Sequence, residues 1–453
     1  MDGLAASQKS AHNGRMMSHG LSIRKGRPVS VLAVVFLAGI SLSLGREPVE
    51  DKGSWRLDAP GVRHRVTAAD LPPPYATRSV GNSPKIVERP KGATLRVPEG
   101  FEASEYASGL DNPRFLLAAP NGDLFVTESR TGAIRVLRDT TGAGKPDIDE
   151  LFITGLKQPF GLAFYPPGAD PKFLYIANTD GIVRVPYKNG DLKAEGPVQP
   201  ITSLSSGGRL QGGGHWTRSI VFSADGSKLF ASVGSKTNVD EESDPVEKER
   251  ARIFVMNPDG SDKRDYAAGL RNAVGIAIHP STGDLWATVN ERDGLGDNLV
   301  PDYVTRVKDG GFYGWPWFYL GAHPDPRHKK DPHSGLASTV LEPDLLVESH
   351  SAALNLAFYT GDQFPKEYRN DIFVALHGSW NRQKRTGYKI IRIPLENGKP
   401  KGGYEDFLTG FVLSDSEVWG RPVGLAVSKD GALFLSEDGN NTIWKIRWKP
   451  GTR

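Results

Sequence analysis

The chain has no cysteine, which excludes disulfides, cysteine-ligated zinc, iron–sulfur clusters, a thioether-attached haem and a lipid anchor on an N-terminal cysteine. It also lacks a large charge of one sign. Lys+Arg 56 against Asp+Glu 53 gives a formal net charge of +3. The two signs are interspersed, so there is no basic stripe and no nucleic-acid partner is expected. A long apolar run is missing as well. The apolar stretch 31–44 falls short of the ~20 residues that a spanning helix needs. With Arg24, Lys25 and Arg27 before it and Ser43-Leu44-Gly45 after it, residues 1–45 have the layout of a secretory signal peptide, an uncleaved N-terminal anchor being the alternative. The mature protein is therefore expected to be periplasmic or secreted, touching a membrane only if that segment is retained. Residues 46–95 are polar, Pro-containing and without periodicity, and are expected to be a linker.

What the chain has in abundance is turns, with Gly 52 and Pro 33, and a recurring unit. Six segments open on a polar or charged residue and run into a short apolar strand: Asn112-Pro-Arg-Phe-Leu-Leu, Gln158-Pro-Phe-Gly-Leu-Ala-Phe, His215-Trp-Thr-Arg-Ser-Ile-Val-Phe, Arg271-Asn-Ala-Val-Gly-Ile-Ala-Ile, His350-Ser-Ala-Ala-Leu-Asn-Leu-Ala-Phe and Arg421-Pro-Val-Gly-Leu-Ala-Val. In most of them a turn such as Pro120-Asn-Gly-Asp or Lys429-Asp-Gly-Ala follows, and then a second apolar run such as Leu124-Phe-Val-Thr or Leu433-Phe-Leu-Ser. This pattern predicts paired strands across a Gly-containing hairpin. A third strand often comes after, as at Ile134-Arg-Val-Leu and Ile443-Trp-Lys-Ile-Arg. A unit of this size cannot bury its own apolar face, so the repeat predicts an all-β, six-bladed β-propeller over residues 96–453.

Blade equivalence turns the repeat into a site argument, because corresponding positions lie at one height around a single axis. The strand openings carry Arg114, Gln158, His215 with Arg218, Arg271 with Asn272, His350 and Arg421. One arginine before a strand is commonly solvated or paired with a neighbouring acid, and His350 is expected to be structural. A ring of cations is different, because like charges repel and desolvation is costly. An anionic ligand would relieve both. The run Gln211-Gly-Gly-Gly ahead of His215 gives that backbone freedom to approach a ligand.

Taken together and in order, Ala107-Ser-Gly-Leu-Asp-Asn-Pro-Arg, His215, Gly269-Leu-Arg-Asn-Ala-Val-Gly, Asn290-Glu-Arg-Asp-Gly-Leu-Gly-Asp, Gly310-Gly-Phe-Tyr-Gly-Trp-Pro, His377-Gly-Ser-Trp-Asn-Arg and Gly420-Arg-Pro-Val-Gly carry a resemblance. Over residues 100–447 the chain resembles the soluble quinoprotein sugar dehydrogenases, in particular their sorbosone (glucose/sorbosone) dehydrogenase branch. The resemblance implies a pyrroloquinoline quinone (PQQ) at the channel mouth and a Ca2+ ion bridging it to the backbone carbonyls of Glu291 and Arg292, where better-known members have Gly-Pro. It implies His215 as general base and Arg271 as the group that stabilises charge on the quinone oxygen. Asn272, Arg421 and either Asn381 or Arg382 match cofactor contacts, the insertion Gln383-Lys-Arg-Thr leaving that last choice open, and Gln158 is a cofactor-binding candidate on the same rim. The substrate would be an aldose or sugar aldehyde, with electrons passed to an external acceptor.

Two competing functions stay in view. One is a calcium-dependent six-bladed lactonase, which would need inward carboxylates drawn from Glu128, Asp180, Glu291 and Glu437. The other is a non-catalytic propeller that binds protein or glycan. The loop Asp139–Asp147 is expected to be an ordinary inter-blade loop, and segment 321–333 either a lid over the site or an insertion.

Overall fold

A computed structural model describes residues 53–206, 214–240, 247, 249–328 and 333–449. The signal or anchor segment 1–45, the start of the expected linker and Gln211, Gly212 and Gly213 lie outside the described residues. Six sheets of four core antiparallel strands form the blades of a propeller, two of them widened to five strands, blade 5 by Arg63–His64 and blade 3 by Gly311–Phe312, which pairs parallel. Their innermost strands are Pro113–Ala118, Leu162–Tyr165, Ile220–Phe222, Ala273–Ile278, Ala353–Phe358 and Pro422–Val427 for blades 1 to 6. Each innermost strand neighbours the next, and the sixth returns to the first, which closes the ring. Among the described residues no helix is long and apolar enough to cross a membrane.

The second strands explain the sequence pattern. Leu124–Glu128, Leu229–Val233, Leu285–Val289, Ile372–Leu376 and Leu433–Glu437 are buried at every position. Blades stack face to face, so a second strand has a neighbour on both faces and shows a continuous apolar run where a one-sided strand would alternate. Phe101–Ala107 pairs antiparallel with Thr442–Trp448 and supplies the outer strand of blade 6. Ring closure is thus made between two chain segments far apart in sequence.

Glycines and hydroxyls join the blades around the axis. Gly161, Gly275 and Gly424 occupy equivalent places in the innermost strands of blades 2, 4 and 6. A methyl group on Gly275 would lie 2.5 Å from the Leu354 carbonyl oxygen and 2.8 Å from the Leu356 nitrogen of blade 5. Thr288 on the second strand of blade 4 accepts the Gly275 N–H at 2.9 Å and donates to that same Leu354 carbonyl. Ser436 of blade 6 accepts the Gly424 N–H and donates to the Arg114 carbonyl of blade 1 at 2.5 Å. Gly275→Ala is expected to lose about 1–3 kcal/mol by overpacking this seam. Chemical denaturation should show this as a lower midpoint at an unchanged slope.

Just inside one mouth of the ring, Phe160, Val274, Leu354 and Val423 are buried together, with Phe115 and Trp216 against them. They form an apolar floor beneath the polar ends of the innermost strands. The segment expected as a linker makes ordered contacts with the blades: Arg63–His64 pairs with blade 5, and Lys85–Ile86 pairs with Glu417–Val418.

Candidate active site

Above that apolar floor lies a cavity of about 330 Å3 whose walls come from blades 1, 3, 4, 5 and 6. His215, Arg271, Asn272, Glu291 and Arg421 all line it, although they come from three different blades. Gln158, Arg292 and Arg382 lie outside the lining. Gln158 is half-buried at φ 48°. The Arg292 side chain turns to Asp325, 3.4 Å away. Arg382 is fully buried and donates to Asn298 Oδ1 at 2.6 Å, whereas Asn381 faces the cavity.

His215 is held in a defined tautomer. Its Nδ1 lies 2.7 Å from the Ser235 carbonyl oxygen, an acceptor, so Nδ1 carries the proton and Nε2 keeps its lone pair. Nε2 has no protein hydrogen-bond partner among the described residues. Burial, and then the neighbouring Arg271 guanidinium, push the imidazole down to about 3. It is therefore a neutral acceptor at ordinary pH.

Arg271 is fixed. Its Nε donates to the Asn238 carbonyl (3.0 Å), Nη1 to the carbonyls of Glu291 (2.7 Å) and Asn290 (3.3 Å), and Nη2 to Asn238 Oδ1 (3.0 Å). Asp293 lies 3.6 Å from Nη2. The guanidinium cannot reorient, yet its charge faces the cavity. Arg421 differs, since among the described residues its side chain has one protein acceptor, the His377 carbonyl, 3.4 Å from Nε. Asn272 keeps a buried side-chain oxygen without a donor. A buried amide atom left unpaired costs free energy that a ligand can recover.

A second polar group, without assigned roles in the sequence reading, completes the wall. Asp438 binds the Arg114 guanidinium and His377 Nε2, the latter at 2.9 Å. Burial pushes the Asp438 carboxyl up, but His377, Arg114 and Arg421 outweigh it and hold it well below the carboxylate range. His377 itself is pushed down to about 4, by burial first and then by Arg421. Asp438→Asn would leave two arginines facing each other without their counter-ion. It is expected to lower stability by about 3 kcal/mol, measured by denaturant titration. His350, expected to be structural, bonds Gly296 O (3.0 Å) through Nε2, lies 3.4 Å from Asp293, and also reaches the lining.

The two carbonyls expected to hold calcium are not equivalent. That of Glu291 accepts Arg271 Nη1, so a bridging dication would sit against a fixed guanidinium. As arranged, this pair does not fit a bridging calcium ion. Among the described residues the one grouping of carboxylates and histidine with metal-like spacing is Asp58, His64 and Asp406. There Lys389 Nζ lies 2.6 Å and 2.7 Å from the two carboxylates and already neutralises them. The carboxylate cage of a lactonase does not assemble either. Glu128 is bound by Arg135 at 3.1 Å, Asp180 by Lys157 at 2.7 Å, and Glu437 by the backbone N–H groups of Gly439, Asn440 and Thr442. Of the four, Glu291 alone lines the cavity.

Fold and site together define a six-bladed propeller with an axial cavity lined by arginines and carboxylates and a neutral imidazole in its wall. The chain belongs to the TrAA12-like family, whose model matches residues 95–305 and 324–449. It is 26% identical to the pyrroloquinoline quinone-dependent pyranose dehydrogenase of Coprinopsis cinerea over 421 residues, covering 79% of this chain and 55% of that protein. It is 29% identical to an uncharacterised protein of Borreliella burgdorferi over 375 residues, covering 79% of this chain and 92% of the other. Among solved structures, the iodide structure of a Trichoderma reesei enzyme of carbohydrate-active family AA12 superposes with TM-score 0.67 at 20% identity, covering 81% of this chain and 100% of that one. The holo PQQ domain of the Coprinopsis pyranose dehydrogenase gives TM-score 0.64 at 22% identity, with coverage of 81% and 99%. The soluble PQQ-dependent sugar dehydrogenases are thus the relatives, and the sorbosone branch is not singled out among them.

Proposed function

We propose that the protein is a PQQ-dependent oxidoreductase acting on sugars, an aldose or sugar aldehyde of the glucose or sorbosone kind, with His215 as general base. The observation that carries this reading is one cavity that joins an imidazole with an unoccupied Nε2, a largely uncommitted Arg421 guanidinium and the Asn272 side chain. PQQ bears three carboxylates, and this donor set suits them. Arg421 offers planar, two-pronged binding to a carboxylate, and Asn272 would meet one through its Nδ2 donor, its unpaired Oδ1 being itself an acceptor. When bound, the quinone supplies an acceptor for hydride from the substrate carbon.

The chain's own residues do the rest. Nε2 of His215 takes the substrate hydroxyl proton, and Ser235 keeps the ring oriented while charge forms on it. Arg271, clamped by Asn238 and the Asn290–Glu291 carbonyls, presents a fixed positive charge to negative charge building in the cavity. No reorganisation is needed at that moment. Electrons then leave to an external acceptor, and a periplasmic or secreted location fits sugar oxidation with such an acceptor.

The test is titration of the purified chain with PQQ, with and without calcium, followed by addition of aldoses while the quinone absorbance is watched. Saturable uptake and sugar-dependent bleaching are expected. No uptake, joined with lactone hydrolysis, would move the assignment to the hydrolase reading.

A further inference from the structure

Residues 75–82 precede the first residue matched by the family model, which starts at 95. They nevertheless bond to two irregular loops that carry cavity side chains. The first loop follows the second strand of blade 4 and holds Asn290, Glu291 and Asp293. The Tyr75 N–H donates to the Leu295 carbonyl at 2.8 Å, and the hydroxyls of Thr77 and Ser79 accept the Asp297 and Gly296 N–H groups at 2.8 and 3.1 Å. The second loop follows the second strand of blade 5 and holds His377, Trp380 and Asn381. The Asn82 N–H donates to the Trp380 carbonyl at 2.7 Å, and its side-chain amide donates to the carbonyls of Arg382 (3.0 Å) and Gln383 (3.1 Å). Asn82 Oδ1 in turn accepts from the buried Arg385 at 2.9 Å.

Neither loop has a strand ladder over these residues, so its backbone groups depend on such partners for their order. The two loops also meet at the cavity, where Asn381 Nδ2 donates to Asp293 Oδ1 at 2.6 Å. Trp380, 49% exposed, stands on the rim directly next to the carbonyl that Asn82 holds. The bonds from 75–82 therefore fix, from outside the ring, the two walls that close on one another across the site.

We propose that residues 75–82 form a strap that positions Asp293, Trp380 and Asn381, so that this N-terminal segment is a working part of the site. Asn82 and Thr77 are its positioning residues, one for each loop. The inference rests on the quinone reading only for its effect on ligand binding, and stands on its own for the ordering of the loops.

The experiment uses the full chain and two variants, Asn82→Ala and Thr77→Val, with amide hydrogen exchange read by mass spectrometry. Asn82→Ala is expected to speed exchange in 378–386 by about tenfold or more while 294–299 stays near wild type, and Thr77→Val to do the reverse. Peptides from blade 2, over 162–186, should not change in either variant. Both variants should bind PQQ about tenfold more weakly, and KM for sugar should rise more than kcat falls. Exchange that is unchanged in both loops, or that rises evenly over all blades, overturns the proposal. Should Asn82→Ala fail to fold, the Thr77→Val pattern decides the question. Should the wild type take up no quinone, the functional reading fails while the exchange pattern still decides the strap.

Discussion

His215→Ala is expected to lower kcat by about 10³-fold while PQQ binding is kept. The substitution removes an imidazole whose Nε2 lone pair has no protein donor against it among the described residues, and leaves Arg421 and Asn272 in place. The acid side of the pH profile supplies a second check. Burial and Arg271 hold His215 down to about 3, so in the free protein the base stays deprotonated as pH falls through the usual histidine range near 6.5. The kcat/KM profile should then show no acid limb at 6.5 from this residue. The sign for stability runs with the same shift. The unfolded chain binds the proton below about 6.5 and the folded chain does not, so this residue costs stability increasingly as pH falls from there to about 3. His215→Ala removes that penalty and should move acid unfolding to lower pH. Activity surviving at wild-type level would end the general-base assignment.

The architecture was legible because every blade answers to the same constraints. A second strand with neighbours on both faces is buried throughout and mainly apolar, and a glycine is needed wherever innermost strands approach as closely as Gly275 does to Leu354. These demands recur, so they print a repeat. The site was legible for the same reason. Counting three residues back from the equivalent positions Gly161, Gly275 and Gly424 gives Gln158, Asn272 and Arg421, and two of those three line the cavity.

Part of what escaped sits at a second set of equivalent positions, and the rest has no repeat behind it. His377 and Asp438 directly follow the second strands of blades 5 and 6, as Asn290 does in blade 4. Extending the equivalence argument from strand openings to strand ends would have reached them. The choice between Asn381 and Arg382 depends on a loop with no ladder to set its register, and there a one-residue step exchanges cavity for core. The N-terminal segment gave no periodicity because its bonds are single side chain to backbone contacts made to distant residues. Asn82 and Arg385 are separated by 303 positions.

Arg421→Met is expected to weaken PQQ binding by about 100-fold, the scale of one well-made charged hydrogen-bond pair. Of the cations in the cavity wall, Arg114 is tied to Asp438 and Arg271 has its donors on protein carbonyls and Asn238. Arg421 has a single 3.4 Å contact and so has donors to give. Arg421→Lys should recover little of the loss, because an ammonium is a point donor and cannot match a carboxylate with two parallel N–H groups. The same variant carries a readout independent of the ligand. After burial, Arg421 is the largest influence holding His377 down to about 4. With the guanidinium gone, the Asp438 carboxylate dominates the remaining field, and the His377 titration followed by NMR should move up toward the ordinary histidine value. An upward shift of His377 with unchanged quinone affinity would confirm the geometry of this wall while removing Arg421 from the cofactor's partners, and the anion would then have to be held from the blade-4 side.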